Sequence, residues 1–128
     1  MTARRLGLLI VALTVTSCRL TEVALVTVRN ETPAALGVKV RLPGDPTFQD
    51  DRPLPPAQEN VLLRYEEPRS EARPMSALVD GLELVAGACV ARLEGAAVAA
   101  AAVRTEHPRR WTVKVTPELL RTAGCPTR

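Results

Sequence analysis

Aromatic side chains are almost missing from this sequence: one Trp, one Tyr and one Phe make up 2% of its 128 residues. A core must then be built from Val, Leu and Ala, each of which buries less area, so modest stability is expected unless a cross-link assists. Histidine occurs once, at His107, and beyond the N-terminal region serine occurs only at Ser70 and Ser76. Nucleophilic and acid–base sites commonly need a His beside a Ser or Cys with an orienting acid, and neither serine sits in a G-x-S-x-G elbow. The sequence therefore argues against an enzyme. There is no C-x-x-C and no second His, which excludes the usual close-spaced zinc pairs around Cys89, Cys125 and His107. Asp45, Asp50 and Asp51 share one loop without the spacing of a calcium loop, and read as solvated acids. Nothing predicts a cofactor.

Lysine is scarce too: Lys39 and Lys114 are the only two among 17 basic residues, the rest being Arg. With the abundant Ala, that bias reads as a GC-rich genome rather than a selected anion-binding surface. The formal charge is +3, and no basic stripe interleaved with aromatics is visible, so nucleic acid is not an expected partner.

What is present begins at the N-terminus. Arg4 and Arg5 precede the apolar stretch Leu6 to Val15, and the small residues Thr16 and Ser17 lead into Cys18. About ten apolar residues fall well short of the roughly 20 a lone spanning helix needs, but they suit an export signal. The ending "VTSC", Val15 to Cys18, resembles the lipobox of bacterial lipoproteins: an aliphatic residue, two small residues and an obligatory cysteine. The resemblance implies cleavage after Ser17 and a diacylglyceryl group on the Cys18 sulfur, with the new amino group commonly acylated. It implies a signal at 1–17 and an acylated N-terminus and tether at 18–22; the rest, 23–128, is read from its own pattern as one small β domain. Membrane lipid is then one partner, and two or three acyl chains give a durable hold where one does not. Arg19, where some lipoproteins carry an inner-membrane retention Asp, leans toward the outer membrane if the host has one. An ordinary secreted domain with Cys18 as a thiol is the alternative.

Three cysteines leave an exported protein with one over. If Cys18 carries lipid, Cys89 and Cys125 remain as a disulfide pair that ties the C-terminal tail to the sheet. Two unrelated buried thiols are the alternative.

The rest of the chain reads as β structure. "EVALVTVRN" (Glu22 to Asn30) is rich in Val and Thr, and "LGVKVRL" (Leu36 to Leu42) alternates, with Leu36, Val38, Val40 and Leu42 on one side. The turn formers between them predict a hairpin. Asn30 opens a glycosylation sequon but reads as a turn residue. Pro43 to Gln58 contains five prolines and is expected to be a stiff surface loop, and the first candidate for partner contacts. Further strands are expected at Asn60 to Glu66, Leu82 to Val85, Ala88 to Leu93 and Ala96 to Arg104. "RWTVKV" (Arg110 to Val115) turns Trp111, Val113 and Val115 inward. Thr116 as N-cap and Pro117 at the first position predict a short C-terminal helical turn. Arg109 and Arg110 are read beside Trp111, with Arg110 outside.

About seven short strands at this spacing suggest an all-β, immunoglobulin-like β-sandwich. The alternative is an α+β fold with an Ala-rich helix near 96–104, because Ala favours helix. The expected function is a non-catalytic binding or scaffolding module, anchored in the cell envelope and facing an unidentified envelope protein or ligand. An envelope enzyme or metal-binding accessory factor built around His107 is the alternative class.

Overall fold

The computed structural model describes residues 21–70 and 73–126. The chain is mostly β, with strands β1 (Thr21–Asn30), β2 (Leu36–Arg41), β3 (Gln49–Leu54), β4 (Glu59–Pro68), β5 (Gly81–Ala86), β6 (Cys89–Glu94), β7 (Ala102–Arg104) and β8 (Arg110–Val115). Two short α-helices, α1 (Gly95–Ala101) and α2 (Pro117–Thr122), and a 3-10 turn at Met75–Ala77 complete the described residues. Sheet I has the order β4-β1-β8-β7 and sheet II the order β3-β2-β5-β6. In sheet I, β1 runs antiparallel to β4 and parallel to β8.

One apolar cluster joins the inward rows of both sheets, with Val26, Val28 and Val113 from sheet I meeting Val38, Leu82 and Leu84 from sheet II. Alternation produces this directly, because successive side chains of a strand point to opposite faces. On β8, Trp111, Val113 and Val115 are buried while Arg110 and Lys114 are exposed. On β2, Leu36, Val38 and Val40 point inward. Both patterns match the reading of the sequence, as does α2, where Leu119 N donates to Thr116 Oγ1 at 3.1 Å behind Pro117.

Four expectations are corrected. The strands on either side of Asn30 do not form a hairpin: β1 belongs to sheet I and β2 to sheet II. Asn30, fully buried, makes the corner. Its Nδ2 donates to Ala34 O (2.7 Å) and to Leu54 O on β3 (2.9 Å), while its Oδ1 accepts from Thr32 N (2.9 Å) and Thr32 Oγ1 (2.6 Å). One amide thus shapes the turn and links the two sheets. Asn30 is therefore not the turn residue that the sequence suggested but the last residue of β1, paired with Val115, whose side chain shapes the turn that follows.

The Pro43–Gln58 segment is not a loop throughout, because its middle forms β3. β3 is an edge strand, where Pro53 forfeits no ladder bond that the sheet needs. The stretch 96–104 is not one strand: α1 occupies 95–101 and only 102–104 pair, with β8. Alanine's helix propensity prevails there, and α1 buries Val98. Gly95 opens this helix close to the chain, where a Cβ would lie 3.3 Å from the Asp80 carbonyl. The described residues form eight strands, close to the about seven expected.

Candidate functional site

Cys18, the expected lipid-bearing residue, lies outside the described residues. Cys89 and Cys125 are joined in a disulfide with a Cα–Cα distance of 5.8 Å. Cys89 begins β6, an edge strand of sheet II. Cys125 follows α2, where Gly124 at φ +94° turns the chain and Cys125 N donates to Leu120 O at 2.8 Å. The bridge therefore ties the C-terminal tail to the sheet, as expected. The third candidate ligand of a zinc site, His107, is exposed in the turn before β8, and its Nδ1 accepts from Arg109 N at 3.3 Å. No group of three or more metal-ligating side chains occurs among the described residues.

The Pro43–Gln58 segment folds onto sheet II instead of standing clear as a contact loop. Asp45 organises its first turn, with Oδ1 accepting from Thr47 N and Thr47 Oγ1 at 3.1 Å each, and Oδ2 accepting from Gln49 Nε2. Phe48 then lies against two cations, 4.9 Å from the Arg41 guanidinium and 5.8 Å from that of Arg92.

The most concentrated chemistry was not anticipated from the sequence. At the end of sheet I where β1 begins, Arg109 is buried between the sheets with a side chain only 6% exposed. Its Nη1 donates to Glu67, itself 1% exposed, its Nε pairs with Glu22 at 2.8 Å, and its Nη2 donates to Arg69 O at 2.5 Å. Glu22 also pairs with Arg69 at 3.1 Å. Tyr65 donates to Glu67 Oε2 at 3.3 Å. Burial first, and then the neighbouring Glu67 carboxylate, push the Tyr65 phenol up to about 12, so it stays protonated at neutral pH.

Two arginines and two glutamates balance in this cluster, and the buried members are satisfied by each other. Such an arrangement orders the end of the core. Beside it runs a shallow groove of about 290 Å³ lined by Leu42, Pro43, Leu63, Tyr65, Arg73 and Leu78. The signal for Arg109 was present in strand parity. Trp111 faces inward, so the residue two places earlier faces inward as well. The same parity carries Tyr65 to Glu67 on β4.

No protein-family model, no characterised relative and no solved structure matches this sequence.

Proposed function

We infer that the chain is a small envelope lipoprotein: acyl groups on Cys18 hold a non-catalytic β module at a membrane surface, where tethering raises its encounters with an envelope partner or ligand. The observation that carries this reading is the Cys89–Cys125 bridge. Disulfides persist in oxidising compartments, which supports export, and the bridge uses two of the three cysteines. The remaining one, Cys18, ends the lipobox-like "VTSC". The module fits a non-catalytic role in that its buried charges are spent on one another. Within the two-sheet class we read the fold as an immunoglobulin-like sandwich in the broad sense, although its disulfide joins an edge strand to the tail rather than bridging the sheet centres.

Changing Cys18 to Ser in the expressed full-length protein tests the anchor. The wild type is expected to fractionate with membranes and Cys18→Ser to lose that association. Unaltered fractionation of the variant would refute the reading.

A further inference from the structure

Sheet I has an outer face whose residues fall into ranks across the strands. One rank is Arg64–Leu25–Arg110, the next Val61–Thr27–Thr112–Val103, and the next Glu59–Arg29–Lys114. The middle rank carries two of the three large hydrophobics exposed among the described residues, Val61 at 40% and Val103 at 48%. At its centre the Thr27 and Thr112 hydroxyls share a 2.9 Å hydrogen bond, so their polarity is spent laterally. The middle rank is thus flanked by Arg64 and Arg110 on one side and by Arg29 and Lys114, beside Glu59, on the other. Arg29 reaches Glu31 at 3.7 Å, but Arg64, Arg110 and Lys114 form no ion pair with any described residue. β1, inner to this sheet, begins at Thr21, three residues after Cys18. Three residues span at most about 11 Å, so a lipid on Cys18 would be tied by a short tether to the end of sheet I where β1 begins.

We propose that the outer face of sheet I lies against the bilayer that holds the anchor, with Arg64, Arg110 and Lys114 taking anionic phospholipid headgroups and Val61 and Val103 reaching the interface. The inference rests on the lipoprotein reading and adds an orientation to it. Long cationic side chains suit this position, since their stems lie along apolar surface while the charge meets the headgroups. Attraction to anionic lipid also falls off within a Debye length, so only a face held close by a short tether profits from it.

The two lysines provide the test, because Lys114 lies on the outer face of sheet I and Lys39 on that of sheet II. The purified native lipoprotein is placed either in detergent or in phosphatidylcholine vesicles with about 30% phosphatidylglycerol, and acylation of each lysine by a water-soluble amine reagent is followed by mass spectrometry. Vesicle flotation and intact mass first establish that the protein is anchored; failure there overturns the lipoprotein reading. For anchored protein, Lys114 is expected to react at least about fivefold more slowly in vesicles than in detergent, with Lys39 unchanged, and salt should weaken the protection. The surface variant Arg64→Glu/Arg110→Glu should still float and keep its disulfide, yet lose the protection of Lys114. Equal Lys114 rates in both settings, protection of Lys39 instead, or protection in native membranes but not in pure lipid would overturn the proposal. The last outcome would assign the face to an acidic protein.

Discussion

The outer faces of the two sheets are built from similar residues and reach opposite ends. On sheet II, Glu83 is buried and pairs with Arg92 at 2.9 Å and Lys39 at 3.9 Å. Arg41 pairs with Glu94 at 2.7 Å and Asp80 at 3.1 Å, and Phe48 lies over the Arg41 and Arg92 guanidinium groups. On sheet I, Arg64, Arg110 and Lys114 form no ion pair with a described residue, and Val61 and Val103 stand exposed, as Val90 does on edge strand β6 of sheet II. The difference comes from placement: sheet II has an acid at the centre of β5 and a proline-rich segment that folds back with Phe48, and sheet I has neither. A face whose charges pair in this way contributes to stability, whereas one whose charges stand unpaired in solvent contributes little.

The sharpest way to probe the contrast uses two neighbouring arginines on opposite sides of sheet I. Arg109→Ala leaves Glu67 buried without its main partner and should cost about 3–5 kcal/mol. Arg110→Ala, at an exposed position, should stay within about 0.5 kcal/mol; chemical denaturation of both variants checks the pair. Removing the bridge by Cys89→Ser/Cys125→Ser loosens the edge of sheet II. On the chain-entropy model a loop closed over a sequence separation of 36 is worth about 4 kcal/mol, read as a lowered denaturation midpoint. Glu83→Ala breaks the network on sheet II and should cost about 2 kcal/mol, as expected for a hydrogen bond between charged groups. An equal loss from Lys114→Ala would show that the two faces are not different in kind.

A smaller effect concerns Tyr65, the only tyrosine. Its folded-state value, about 12, lies above the ordinary 10.0 because of burial and then the Glu67 charge. Between those values the unfolded chain has released the proton and the folded one retains it. The contribution is therefore fully present below pH 10.0 and is lost as pH rises through about 12. Tyr65→Phe should flatten that part of the stability profile, and tyrosinate absorbance should titrate late in the folded protein.

Much of this was legible where one residue decides locally. The parity of "RWTVKV" places Trp111 inside, Thr116 and Pro117 start α2, and the cysteine count offers Cys89 and Cys125 as partners. What escaped depends on distant groups. Neighbouring strands usually pair, and nothing local reveals that the Asn30 amide will bond to Leu54 O and send β2 to the other sheet. Pro53 marks an unusual strand, but only its place at an edge makes β3 possible. The Ala-rich stretch carried helical and extended signals together, and the structure uses both in succession. The Arg109–Glu67–Glu22 cluster needed three separate segments to be brought together, although parity alone would have turned Arg109 inward.

Intact-mass analysis of the mature protein from membranes tests the account most directly. It predicts a chain of residues 18–128 that carries acyl groups and is two hydrogens lighter for the Cys89–Cys125 bond. A mass that starts at Met1, or one that starts at Cys18 without added acyl groups, would contradict it.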